Sequence, residues 1–183
     1  MIVPRSLTLI GMGLAFCYAA AFGGLWIAGT PGPVLLLALV LAAACLWLSL
    51  VDIATLTIPD AATLIIAATG LAGQLLFAPD ARMVALTVIG AAIVTALFWG
   101  IGAWHYHRRG VEGLGIGDAK LMGAAVLCVG IGAIWWVVLA AALGGIAWVL
   151  IDRARGGRIA AVPFGPFLAY AVFTVYSFQA SGA

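Results

Sequence analysis

The stretch AKLMGAAVLCVGIGAIWWVVLAAALGGIAWVLI, residues 119–151, decides the fold of this chain. It holds 33 residues and a single charged side chain, Lys120. As one helix it would be about 50 Å long, whereas the hydrocarbon core of a bilayer is about 30 Å thick. Two full spans need about 40 residues, so two crossings are slightly tight. The choice is between one long helix and two membrane spans that turn near Gly130-Ile131-Gly132.

The basic residues favour two crossings. Lys and Arg concentrate on the cytoplasmic side of membrane spans. If the loops that hold Asp52 and Asp118 are cytoplasmic and the stretch crosses twice, seven of the eight basic residues lie inside and only Arg82 lies outside. A single crossing would export the three arginines of residues 153–158. We therefore predict two spans here, the first of them short, with the amino terminus inside and the carboxyl terminus outside.

The rest of the chain has the composition of a membrane protein. Of its 183 residues, 66% are apolar and 8% are charged, with a mean hydropathy of +1.26. Soluble domains are nearer half apolar and a quarter charged, so a soluble enzyme, a disordered chain and a secreted disulfide scaffold are excluded. The net charge of +2 is too small to indicate a nucleic-acid partner. The other predicted spans are Leu7–Ala28, Val34–Val51, Ala61–Ala78, Met83–Trp104 and Ala160–Phe178.

These spans predict an all-α, polytopic bundle of about seven helices that forms one integral-membrane domain over residues 1–183. The first span also has the outline of a cleaved signal peptide, with Arg5 before it and Ala19-Ala20-Ala21 within it. Because the apolar run continues to Ala28, longer than a normal signal core, we expect a retained helix.

Cysteine and histidine give no sign of a metal site. No C-x-x-C pair occurs, so we expect the three cysteines to be small buried side chains: Cys17, Cys45 and Cys128. His105 and His107 stand beside two arginines with no third ligand nearby, which is typical of a loop in contact with water.

Two of the few acidic residues stand out by position. Asp52 ends an apolar span, and Asp118 directly precedes the fifth span, so both fall at cytoplasmic ends of helices. An ionisable group at a membrane boundary is costly and is a functional candidate by default. The plain alternatives are a helix cap for Asp118 and, for Asp52, a side chain that reaches back to water. We expect Asp60 to cap a helix and Asp80 to be solvated in an external turn.

As a pair, the two aspartates suggest a mechanism. Two carboxylates within a few ångströms cannot both ionise easily, so they share one proton. One carboxylate then acts as a base on a water while the other donates a hydrogen bond to the scissile carbonyl, as in aspartic proteases. Intramembrane aspartates also serve proton and ion relays, so a small proton- or ion-coupled transporter subunit is the alternative function.

Three segments resemble a known family. The nonapeptide GLGIGDAKL, Gly113–Leu121, matches the G-[LM]-G-x-G-D-x-K-[LF] element of type IV prepilin peptidases. Ile58-Pro59-Asp60, six residues beyond Asp52, resembles the family's first element, and PFGPFLA at 163–169 resembles its third. The order and spacing of the three are also similar to the family's.

The resemblance implies a polytopic aspartic peptidase of the cell inner membrane. Such enzymes remove the basic leader of type IV prepilins and pseudopilins after a glycine, at the cytoplasmic face. It implies Asp52 and Asp118 as the catalytic residues and, as partners, a prepilin or pseudopilin helix within membrane lipid. Asp60 and Lys120 are not carried over as catalytic.

Longer family members have an N-terminal region with paired cysteine motifs, linked to methylation of the mature pilin with S-adenosylmethionine. This sequence has no C-x-x-C and resembles the short members. We therefore expect no methyltransferase activity, no S-adenosylmethionine and no other cofactor.

Overall fold

The computed structural model describes residues 5–77, 80–110, 115–156 and 162–182, and within these ranges every regular element is an α-helix. The seven helices are α1 (Arg5–Ile27), α2 (Gly32–Thr55), α3 (Asp60–Phe77), α4 (Ala81–Arg109), α5 (Ile116–Val129), α6 (Ile134–Ala154) and α7 (Gly165–Ala180). The predicted all-α membrane bundle is confirmed.

The long apolar stretch is two helices, as its charge distribution predicts. Helix α5 ends at Val129, and Gly130 follows with a φ of +79°, a conformation that glycine adopts without steric cost. Helix α6 begins four residues later. With 14 residues, α5 is about 21 Å long, so the prediction that it is short is also confirmed.

Five of the described helices are long and apolar enough to cross a membrane: α1, α2, α3, α4 and α6. Helices α5 and α7 are shorter. Helix α7 begins at Gly165, inside the predicted span Ala160–Phe178, because Pro163 disfavours helix and Pro166 is suited to a first turn. Residues 157–161 lie outside the described part of the chain.

Helix α5 is the centre of the bundle. Nine of its residues are buried, and it contacts α3, α4, α6 and α7. Two glycines let it approach its neighbours closely: a Cβ at Gly70 would lie 2.6 Å from the backbone of α5, and a Cβ at Gly123 would overlap the Thr95 hydroxyl. Small residues at helix contacts are the usual means of close packing in a membrane, where apolar side chains gain nothing by leaving lipid.

The far end of α5 is satisfied by two glutamines from neighbouring helices. The last carbonyls of any helix lack partners within that helix, and inside a bilayer no water replaces them. Gln179 Nε2 of α7 donates to Val129 O at 3.1 Å, and Gln74 Nε2 of α3 donates to Leu127 O at 3.4 Å. These bonds allow α5 to end inside the bundle.

Two sequence expectations are corrected. Cys45 and Cys128 are buried as expected, but Cys17 is exposed, because α1 packs only on α2 and α7 and leaves its outer face free. Asp80 is not merely solvated: its Oδ1 accepts the Met83 backbone N–H at 2.8 Å and caps the amino end of α4.

Candidate active site

Asp52 lies buried in the last turn of α2. Its exposed fraction is 4%, so it does not reach back to water. The helix ends at Thr55, and Leu56 takes a left-handed conformation with a φ of +54° while its N–H donates to Asp52 O at 2.8 Å. The chain therefore turns back directly after the carboxylate and leads into α3.

The carboxylate of Asp52 is held by the amino end of α7. The backbone N–H of Gly165, the first residue of that helix, donates to Asp52 Oδ2 at 3.0 Å. The positive end of the helix dipole also favours a carboxylate at this place. A Cβ at residue 165 would lie 2.7 Å from the same oxygen, so the contact requires glycine.

Sequence reasoning did not assign Gly165 a role. It singled out the PFGPFLA segment only by resemblance. A glycine between two prolines at the start of a predicted helix is the signal that pointed to a close backbone approach.

Asp118 is the third residue of α5 rather than its cap, since the residue in the N-cap position is Gly115. The carboxyl group accepts a hydrogen bond from the backbone N–H of Gly115, as a side chain in this position does in a capping box. Its Oδ1 is buried and has no hydrogen-bond partner among the described residues. An unpaired buried oxygen is expensive unless it carries or accepts a proton during function.

The two aspartates form one site. Burial raises the pKa of Asp118 to about 6, the nearby charge of Asp52 raises it further, and the hydrogen bond from Gly115 opposes both. Two groups that interact in this way titrate as a pair and hold one proton between them more readily than two isolated aspartates would. The structure thus brings together the two carboxylates that the sequence predicts to act together.

A second contact joins the two segments that carry the aspartates. Lys120 Nζ lies 2.7 Å from Asp60 Oδ1, and both side chains are exposed. Asp60 is thus the first residue of α3 and an ion-pair partner, not simply the helix cap that the sequence predicts. Next to it, a Cβ at Gly117 would lie 2.8 Å from Ile58 Cβ, so residues 56–60 pack directly on the start of α5. An exposed pair adds little stability, so its role here is to fix position.

Among the described residues, no three His, Cys, Asp or Glu side chains converge on a point where a metal ion would bind. The chemistry of the site therefore has to be argued from the carboxylates.

Comparison with known proteins supports the assignment of the site. The model of the type IV leader peptidase family matches residues 39–150, more than half of the chain. The match includes Asp52, Asp118 and the ion pair between Lys120 and Asp60, and it ends before Gly165. No curated protein and no solved structure matches the chain.

Proposed function

The chain belongs to the type IV leader peptidase family, and from that premise we propose that it is an aspartic endopeptidase of the cell inner membrane. It removes the basic leader of a type IV prepilin or pseudopilin, after a glycine, at the cytoplasmic membrane face. The observation that carries this proposal is the buried pair of Asp52 and Asp118 at one end of the bundle.

In the proposed reaction the pair holds a single proton. Asp52, whose Oδ2 accepts the Gly165 N–H, is the ionised member, because a hydrogen bond to the charged form favours that form. Asp118, with its unpaired Oδ1 and raised pKa, holds the proton.

Asp52 takes a proton from a water as the water oxygen attacks the scissile carbonyl carbon. Asp118 donates a hydrogen bond to the developing oxyanion. As the C–N bond breaks, a proton passes from the pair to the leaving amine, so the pair is again singly protonated.

The position of the pair determines where a substrate is cut. Asp52 lies in the last turn of α2 and Asp118 in the first turn of α5, so the scissile bond has to lie just beyond the apolar helix of the substrate. Basic residues before that bond stay in the cytoplasm without further help. A glycine before the bond lets the backbone approach two buried carboxylates with the least steric clash.

The family match supports a peptidase and gives no support to the alternative of a small transporter. The proposed hydrolysis needs only water and the two carboxylates. It therefore calls for neither a metal nor S-adenosylmethionine.

Co-expression with a prepilin tests the proposal. Asp52→Asn and Asp118→Asn should each abolish leader removal, because asparagine cannot exchange the proton that the reaction needs. Asp80→Asn is the matched control, since asparagine caps a helix as well as aspartate does and this residue lies in the turn before α4. Leader removal is read from the mass of the pilin, and normal processing by either of the first two variants would refute the aspartic mechanism.

A further inference from the structure

An open groove adjoins the two aspartates. In the described part of the chain, α1 and α6 both pack on α7 but do not contact each other. The space between them has a volume of about 460 Å³ and is open along one side, with α7 as its floor.

The groove ends beside the catalytic pair. Ile53 follows Asp52 directly, and Pro163 and Pro166 flank the glycine that holds its carboxylate; all three line the groove. From there the floor continues along α7 to Thr174, which is about 12 Å at 1.5 Å per residue. An occupant of the groove would therefore lie with one end at the site of reaction.

We propose that this groove holds the apolar helix of the prepilin substrate, an inference that rests on the proposed function. The lining is almost wholly apolar, which suits a membrane helix and not the basic leader. A helix seated there presents the segment just before its first turn to Asp52 and Asp118. Since the groove is about two helical turns long, it reads only the part of the substrate nearest the cut.

The position of Cys17 in the groove makes the proposal measurable. A Cβ at Gly11 would lie 3.1 Å from the Leu50 side chain, which gives the antiparallel register of α1 and α2. By that register Cys17 lies level with Ala44, roughly 12 Å from Asp52 along the bundle. A substrate helix in the groove should place residues roughly five to ten positions after the scissile bond beside Cys17.

A second groove provides the control. It lies between α1 and α2, has a volume of about 600 Å³ and is also apolar. Its lining residue nearest to Asp52 in sequence is Leu46, roughly 9 Å away along α2, so this groove does not reach the carboxylates. Ala19 lines it, two residues from Cys17 on the same helix.

Disulfide cross-linking in membranes tests the assignment. The enzyme carries Asp118→Asn so that the prepilin stays intact, and single cysteines are placed along the apolar helix of the prepilin. Native Cys17 is compared with the double substitution Cys17→Ser, Ala19→Cys. Buried Cys45 and Cys128 remain in both proteins. We expect cross-links to Cys17 from the substrate positions named above, spaced as one helix face, and few from Ala19→Cys.

Blocking each groove gives a second measurement in the active enzyme. Ala140→Trp fills the groove beside the aspartates, and Ala43→Trp fills the other; both alanines are exposed. We expect leader removal to slow about tenfold in the first variant, the effect of losing one well-packed apolar side chain, and to stay near normal in the second.

Four results would overturn the assignment. They are stronger cross-linking from Ala19→Cys, Cys17–Cys17 cross-links between copies of the chain, no cross-link to Cys17 while cleavage continues, and equal rates for the two tryptophan variants. If the unsubstituted enzyme removes no leader at all, the proposed function itself fails and the groove assignment fails with it. Cross-linking and cleavage therefore distinguish the two failures.

Discussion

At the scale of single residues, the site depends on one backbone N–H. A buried carboxylate loses its hydration, and that cost is recovered only through hydrogen bonds to the charged form. Asp52 receives such a bond from Gly165, which lies 113 positions later in the chain. The amino end of α7 is thus part of the active site, although none of its side chains carries the chemistry.

The first residue-scale prediction concerns this contact. Gly165→Ala would place a methyl group 2.7 Å from Asp52 Oδ2 and 3.2 Å from Leu48 Cδ2. The carboxylate has to move, and a displacement of about 1 Å in a catalytic group can cost about 100-fold in rate. We expect kcat/KM for leader removal to fall by about that factor while the protein still folds and inserts.

Gly145→Ala is the matched control for this change. A Cβ at Gly145 would meet only the ring of Phe164 at 3.9 Å, an ordinary contact. Its activity should stay within about twofold of normal. Equal activity of the two alanine variants would mean that the Gly165 contact does not position Asp52.

The second residue-scale prediction concerns pH. The pKa of Asp118 is raised to about 6, so its proton is held below that pH and lost above it. Because the proposed reaction needs the singly protonated pair, kcat/KM should fall as the pH rises through this pKa, with the slope of one proton. The profile of Asp80→Asn should overlay that of the unsubstituted enzyme. An activity that stays level far above that pH would show that the proton is held elsewhere.

The sequence predicts both carboxylates because each breaks an apolar pattern at a helix end. It does not predict Gly165 as their partner, since backbone donors are invisible in a sequence and the contact joins helices far apart in the chain. The ion pair between Lys120 and Asp60 was missed for the same reason. Each residue had been considered, but only with its neighbours in sequence.

At the scale of helices, α5 is short because its two ends meet different needs. Its amino end presents Asp118, and its carboxyl end is satisfied from outside by Gln179 and Gln74. The break after Val129 was predictable, since the length of the stretch and the positions of the arginines both require it. The glutamine contacts were not, because a polar residue in an apolar run does not reveal which carbonyl it will reach.

The element-scale prediction follows from those contacts. Gln179→Leu removes a 3.1 Å bond and leaves the Val129 carbonyl without this donor, so we expect a loss of stability of about 1–2 kcal/mol. Gln74→Leu should cost less, because its bond is longer at 3.4 Å. Thermal unfolding in detergent measures both.

Thr87→Val is the control for the glutamine variants. Its hydroxyl donates only to Met83 O in its own helix, so losing it should change stability by less than about 0.5 kcal/mol. If Gln179→Leu were as stable as this control, the end of α5 would not depend on its neighbours.

At the scale of the whole molecule, the contacts of α5 give the relative direction of the helices. Lys120 near its start meets Asp60 at the start of α3, while its end meets Gln74 and Gln179 near the ends of α3 and α7. Helices α3, α5 and α7 therefore run parallel, with the aspartates at one end of the bundle and the glutamines at the other. The sequence predicts the number of helices but not this neighbour relation, because membrane helices are apolar on most faces and give little signal about which face is buried.

The last prediction turns this arrangement into a membrane orientation. The excess of arginine and lysine places the aspartate end in the cytoplasm, and an odd number of crossings then puts the two chain ends on opposite sides. Arg155 follows α6 at the aspartate end, and Ser181 follows α7 at the glutamine end. In a Cys17→Ser background, an impermeant thiol reagent should label Arg155→Cys only from the cytoplasm and Ser181→Cys only from outside, while the buried Cys45 and Cys128 stay unlabelled. If both positions were labelled from the same side, α7 would not cross the bilayer. If Arg155→Cys were labelled from outside, the catalytic pair would face the wrong compartment for a leader that is retained by its positive charge.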